Sequence, residues 1–459
     1  MKKNLIATIV AGCVASIAAN AAQPVPAGAS GLAPRWSVEK AKAWGEANPW
    51  RCGVNYIPAN AVNYTAMWDK TSFSPDVIRR ELKLMADTGM NCVRFVMQYK
   101  VYEDDPEYFA ATLDRFLSLC DEAGVKAMPI FFDDCSFGAS NDPVLGRQSE
   151  PLEGWYAWAW SPSPGHTMVI DGREHPKLEK YVKDVVSRFK DDRRIFLWDL
   201  YNEPSNGKLG FRSYPLLEKT FAWARAVDPS QPISSGIWNN DKRLNAIILA
   251  NSDVVTFHHY ANREKTAKRM KEIVKMAGGR PVICTEWMNR TVGSTVKDCL
   301  GLFREANVGC IAWGLVNGKT QTHLPWGHRP EKLPYTGVWQ HDLFRGDFTP
   351  YDPSEIAMIK EAIAGTGGAF SGMPAFSYFT NAAAEKGDVL GRDTPDAETP
   401  ALNARGESPA RRSNTARNAA MLRNPQRGAI SPTESPVLAR SRFASAMRRS
   451  SMADMTDFP

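Results

Sequence analysis

Eight short apolar runs alternate with eight amphipathic segments of helical period between residues 52 and 364, and no Gly-rich phosphate loop follows the first run. These observations predict an α/β fold of the (β/α)8 TIM-barrel type. Parallel strands buried on both faces read as near-continuous apolar stretches, and each needs a crossover helix. A doubly wound open sheet would want a Gly-rich turn after its first strand, and Gly53-Val-Asn-Tyr-Ile-Pro58 does not supply one.

The chain opens with Lys2-Lys3, an apolar run from Leu5 to about Ala18 and then Ala19-Asn20-Ala21. That is the n-region, h-region and small-x-small pattern of a secretory signal peptide over residues 1–22. The reading implies a secreted or periplasmic protein with no integral membrane segment once the signal is removed. Val10-Ala11-Gly12-Cys13 also has the look of a bacterial lipobox, so anchoring through Cys13 is the second option. Residues 23–34 form a Pro/Gly-rich linker, and Ser37 caps a short helix running to about Asn48.

The predicted strands are 52–57, 92–97, 126–132, 195–201, 232–237, 254–258, 281–285 and 309–315. The predicted helices are 75–88 (capped by Ser74), 106–123, 175–189, 214–227, 241–250, 263–276, 293–306 and 353–364. Leu82, Met85 and Ala86 illustrate the i, i+3, i+4 stripe that packs on a sheet. Asp87-Thr88-Gly89 and Glu122-Ala123-Gly124 are helix ends running straight into strands. The loops after the third strand (133–173) and the eighth (316–351) are far longer than ordinary connections, which marks them as lids or walls of a site. The barrel domain spans 35–365. Residues 366–459 turn rich in Ala, Ser, Arg, Pro and Gly without apolar period and read as a disordered basic tail.

The net charge of +6 sits in that tail, where residues 401–459 hold ten Arg against four acidic residues. The first 400 residues are therefore neutral, which argues against a nucleic-acid partner. Cysteines fall in apolar runs with no metal-ligand spacing, and seven remain after Cys13, an odd number that excludes a complete disulfide framework. No metal or other cofactor is implied. A metal-dependent hydrolase would collect several His at strand ends, and the His here lie mostly in loops.

In a barrel of this type, chemistry sits at the C-terminal ends of the strands. Those ends carry Asn55, Arg94, Asp133-Asp134, Asn202-Glu203, His258-His259-Tyr260, Glu286-Trp287 and Trp313. The fourth run, Ile195-Phe-Leu-Trp-Asp-Leu-Tyr, stops at Asn202-Glu203-Pro204, and a second carboxylate, Glu286, ends the seventh. Strands four and seven face each other across a barrel mouth. Two facing carboxyls are what glycosidic bond cleavage needs, one to protonate the leaving oxygen and one to attack or to activate water. Arg94 and Tyr260 would hold Glu286 ionised as nucleophile, leaving Glu203 as acid/base with a raised pKa. Asn202 is suited to a sugar 2-hydroxyl. Asp133 and Asp134 read as loop caps. Trp155-Tyr-Ala-Trp-Ala-Trp160 reads as a sugar-stacking wall, with Trp326 and Trp339 opposite.

Asn91-Cys-Val-Arg94-Phe95, Trp198-Asp-Leu-Tyr-Asn-Glu-Pro204, His258-His-Tyr260, Thr285-Glu286-Trp287 and Ala312-Trp313-Gly314, in that order, resemble glycoside hydrolase clan A, and most closely glycoside hydrolase family 5. The resemblance covers roughly residues 50–364. It implies a retaining double displacement on a β-linked polysaccharide or oligosaccharide of mannan or glucan type. Glu203 would be acid/base and Glu286 nucleophile, with Arg94, Asn202, His258, Tyr260, Trp313, Asn55 and Trp287 around the substrate. The third strand departs from the family pattern, reading Phe132-Asp-Asp-Cys135 where a histidine is usual. A catalytically inactive sugar-binding barrel and a barrel of another clan A family, family 2-like or xylan-active, are the alternatives.

Overall fold

The computed structural model describes residues 34–138 and 140–365. The signal peptide, Cys13, all but the end of the 23–34 linker and the 366–459 tail lie outside the described residues.

Nine strand segments form one parallel sheet: β1 (Cys52–Asn55), β2 (Cys92–Val96), β3 (Lys126–Asp133), β4 (Trp198–Asn202), β5 (Ile233–Ser234), β6 (Gly236–Ile237), β7 (Val255–His258), β8 (Val282–Trp287) and β9 (Gly309–Trp313). Their order is β5-β4-β3-β2-β1-β9-β8-β7-β6. The fifth predicted strand is thus one stave broken at Ser235. Its first half pairs with β4 and its second with β7, which brings the two ends of the sheet together. Ser235 Oγ donates to Tyr201 O at 2.8 Å across the break. The predicted eight-strand barrel is present in this form.

Helices cover the outer face where the apolar stripes place them. In Pro75–Ala86, Ile78, Leu82 and Met85 are fully buried against the sheet, and Leu82→Ala would cost about 2–5 kcal/mol through the cavity it leaves. Ser74 makes no side-chain cap here; Pro75 begins the helix instead. Gly89 and Gly124 adopt φ of +86° and +71° as the chain turns into β2 and β3. A separate buried cluster joins Cys92, Met128, Ile283 and Ile311 of the strands to Phe196, Leu197 and Val254, which lie just before β4 and β7, at the lower end of the barrel. Trp44 of the helix Val38–Ala47 packs against it and closes the N-terminal end.

Register sets the rim. Asn55 lies level with Arg94, Asp133 with Asn202, and His258 with Glu286. Pairing is irregular around Glu286, on both the β7 and the β9 side. Such bulges commonly re-aim a side chain beside a site.

Candidate active site

Arg94 organises the floor. It is 1% exposed and gives Nη1 to Glu286 Oε1 at 2.9 Å and to Asn55 Oδ1 at 2.6 Å, and Nη2 to Asn202 Oδ1 at 2.6 Å. Its Nε donates to Asp199 Oδ2 at 2.9 Å. Burial opposes the guanidinium charge, but Asp199 and Glu286 outweigh it and push the pKa up. A buried cation with two carboxylate partners is held in one geometry. Removing it would leave both carboxylates uncompensated, a cost of about 3–5 kcal/mol.

Glu286 therefore accepts from a permanent cation on one oxygen, while Tyr260 Oη donates to the other at 2.8 Å. Glu203 is held differently. Its backbone lies in the left-handed region at φ +43°, followed by Ser205 at +87° and Lys208 at +65°. Such conformations in non-glycine residues cost about 1–3 kcal/mol each and need surrounding structure to hold them. Asp134 supplies it, accepting from Ser205 N at 2.9 Å, Tyr201 Oη at 2.7 Å and Ser213 Oγ. Burial pushes the Asp134 carboxyl up to about 7 and Asp133 up to about 6, only partly offset by these donors. Asp133 accepts from Asn202 Nδ2, Trp160 Nε1 and Cys135 N. Both aspartates are scaffold, as the loop-cap reading expects.

The Glu203 carboxyl meets three donors. His258 Nδ1 lies 2.8 Å from Oε1, Cys135 Sγ donates to Oε2 at 3.3 Å, and Asn206 Nδ2 donates to the same oxygen. Burial raises its pKa, but His258, Cys135 and Asn206 prevail and leave it below the ordinary glutamate value. This corrects the raised value expected from sequence. His258 also comes within 3.5 Å of Glu286 Oε2, so it stands between the two carboxylates. It reaches that place because residue 236 is glycine; a Cβ there would lie 2.8 Å from His258 Nε2. One oxygen of Glu203 and one of Glu286 are within 4.8 Å of each other. So close an approach of single oxygens is compatible with the ~5–5.5 Å between carboxyl groups of retaining sites. The same three side chains have the composition of a cation site. The Arg94 guanidinium 2.9 Å from Glu286 supplies the positive charge there and disfavours a metal ion.

Trp313 ends β9 at 8% exposure, flanked by Trp160 at 5.6 Å and His341 at 5.9 Å between ring centroids. Three predicted substrate contacts are corrected. Asn55 is fully engaged beneath the site, accepting from Arg94 and donating to Thr285 O at 2.8 Å, so it positions the guanidinium and does not face a substrate. Trp287 follows Glu286 in the strand and so points to the opposite face, packing on Phe303 at 5.1 Å in the strand–helix layer. Arg94 itself is sealed beneath the carboxylates. His259 faces away from His258 and Tyr260 by the same alternation, and burial lowers its pKa to about 4. Of the aromatic loop residues, Trp160 and Tyr156 are buried in the wall, Trp326 meets Tyr260 edge-on at 5.1 Å, and Trp339 stacks on Tyr351.

The sequence model of the family described as Cellulase (glycosyl hydrolase family 5) matches residues 58–319. The chain belongs to glycosyl hydrolase family 5. A curated relative, mannan endo-1,4-beta-mannosidase F of Aspergillus clavatus, is 23% identical over 185 residues, 40% of this chain. The chain spans only 33% of that relative's length. Among solved structures, a GH5_18 protein of Streptomyces cattleya in complex with Manb1-4GlcNAc matches with TM-score 0.51 and 14% identity, over 70% of this chain and 82% of that one. An exo-beta-1,4-mannosidase from Opitutaceae bacterium strain TAV5 matches with TM-score 0.47 and 19% identity, over 68% of this chain and 59% of that one. The Streptomyces match supports the barrel fold of a family 5 protein. Against the family pattern, the Cys135 thiol stands on Glu203, and neither it nor Asp199 is among the rim residues that the sequence alone points to.

Proposed function

We propose that this family 5 protein is a retaining glycosidase of β-linked glycans, with β-mannosides the first substrates to try. The observation that carries the reading is the pair Glu203 and Glu286, within 4.8 Å and bridged by His258. The mannoside preference rests on the name of the Aspergillus relative.

In this reading Glu286 attacks the anomeric carbon while the proton passes to the leaving oxygen from Glu203. The Arg94 and Tyr260 donors release negative charge from Glu286 into the new ester bond. The donors around Glu203, His258 Nδ1 at 2.8 Å among them, favour its ionised form and hold the carboxyl in place for the proton transfer. Water activated by Glu203 then hydrolyses the glycosyl-enzyme, and two inversions leave the anomeric configuration unchanged. Asn202, held by Arg94 and Asp133, would meet the sugar 2-hydroxyl.

Proton NMR of the sugar first released from an aryl β-mannoside, or from the best substrate of an aryl β-glycoside panel, tests this. The β-anomer appears first if the reading holds. First appearance of the α-anomer would mean inversion and would remove Glu286 as nucleophile.

A further inference from the structure

The loops after β3 and β9 lock together along one side of the mouth. Ala157 N donates to Thr320 O at 3.0 Å, and Gly154 N to Gln321 Oε1 at 2.8 Å. Gln321 Nε2 returns bonds to Leu152 O at 2.8 Å and Trp155 O at 3.3 Å, and His328 Nδ1 meets Gly154 O at 2.6 Å. The Arg329 guanidinium sits 4.1 Å over Trp155. Gly154, at φ +76°, has no room for a side chain, since a Cβ would fall 2.7 Å from Leu333.

The loop after β1 joins the same seam. Lys319 N donates to Ala59 O at 2.9 Å, a Cβ on Gly318 would lie 2.3 Å from that carbonyl, and Asn63 Nδ2 donates to Ala159 O at 2.7 Å. On the other flank Arg290, after β8, donates to the carbonyls of His341 and Asp342. The knitted rim thus runs from β8 through β9 and β1 to β3.

Behind Trp313 this rim presents a closed aromatic wall. Trp160, Tyr156 and His341 are 3%, 4% and 1% exposed. The cavity of about 560 Å³ on the seam is lined by Glu153, Gln321, His323 and Tyr335 among others and takes in neither Trp313 nor any residue of that wall. The Glu203 side contrasts with this. The segment after β4 carries Phe211 at 72% exposure, and Trp238 bonds back to Pro204 O.

On the glycosidase reading, a leaving group takes its proton from Glu203 and so departs over β4, and the family 5 resemblance sets the transferred sugar over Trp313 against the seam. From this we infer an exo-acting enzyme that removes one sugar at a time from the non-reducing end. The inference rests on the glycosidase reading above. It differs from the endo action in the name of the Aspergillus relative.

The test is the earliest product from a borohydride-reduced β-1,4-manno-pentaose, run beside aryl β-mannoside and aryl β-mannobioside, with the corresponding gluco series in parallel. The monosaccharide should be the sole initial sugar, with the reduced chain shortening one unit at a time. The aryl bioside should release its phenol only after a lag. Gln321→Ala, which removes three seam bonds, should raise direct cleavage of bioside relative to monoside about tenfold. Disaccharide or longer sugars released at the outset, or a bioside cleaved without lag, would overturn the exo inference and leave the glycosidase reading standing. Inactivity on every β-glycoside would overturn both. An unchanged bioside-to-monoside ratio in a folded Gln321→Ala protein would show that the seam does not set the product.

Discussion

Glu286 and Glu203 stand across the same barrel mouth, yet the protein holds them by opposite means. Glu286 sits within a strand and accepts from Arg94, a cation that keeps its proton at any pH the protein meets, and from a phenol. Glu203 sits just past a strand on left-handed backbone and accepts from a histidine, a thiol and an amide. The first donor set compensates a charge that should persist until it is consumed in a bond. The second contains no permanent cation, as suits a carboxyl that must gain and lose a proton. Where two carboxylates share a cleft, the charge of the donors separates their proposed roles better than the carboxylates' positions do.

The sharpest way to break this contrast is to truncate each carboxylate. Glu286→Ala should lose turnover on every substrate, and azide should yield only the α-glycosyl azide. Glu203→Ala should lose about 10²–10⁴-fold on a natural glycoside, where the acid matters, and far less on a dinitrophenyl glycoside. Azide should rescue it as the β-glycosyl azide. Equal losses on both substrates in both variants would contradict the assignment.

Next in size is the cation. Arg94→Met strands Asp199 and Glu286 in the interior and should lower unfolding stability by about 3–5 kcal/mol in a denaturant titration, along with activity. A loss below about 1 kcal/mol would mean that the pairs are not what holds the floor.

The smallest effect belongs to Cys135. Its thiol is one of the donors that pull Glu203 below the ordinary value. Without it the Glu203 pKa rises, the acid keeps its proton to higher pH, and the alkaline limb of kcat/KM should move upward in Cys135→Ala. A change of kcat of a few-fold is expected alongside, and Cys135→Ser should restore the wild-type limb because it keeps a donor. A profile unmoved in Cys135→Ala would show that His258 and Asn206 suffice.

The barrel and the carboxylate pair were legible because both write themselves in simple periods. Apolar runs of strand length alternate with 3.6-residue stripes, and the polar residues that end those runs are the rim. Alternation also explains the misreading of Trp287: with Glu286 pointing inward, the next residue must face the helices. Asp199 carries a usable signal, since a carboxylate inside a strand buried on both faces needs a partner, and Arg94 is a cation at the neighbouring rim. Cys135 did not, because it lies beyond the end of β3, where no period predicts direction. Nor could sequence reveal the seam of Gln321 and Gly154, whose bonds join loops more than 150 residues apart.

The division of labour between the two carboxylates is tested most directly by trapping. A 2-deoxy-2-fluoro β-glycoside with a dinitrophenol leaving group, of the sugar the protein prefers, should add one glycosyl mass to the intact chain. Peptide mapping should place that mass on Glu286. A label on Glu203, or turnover with an inverted product and no label, would contradict the account.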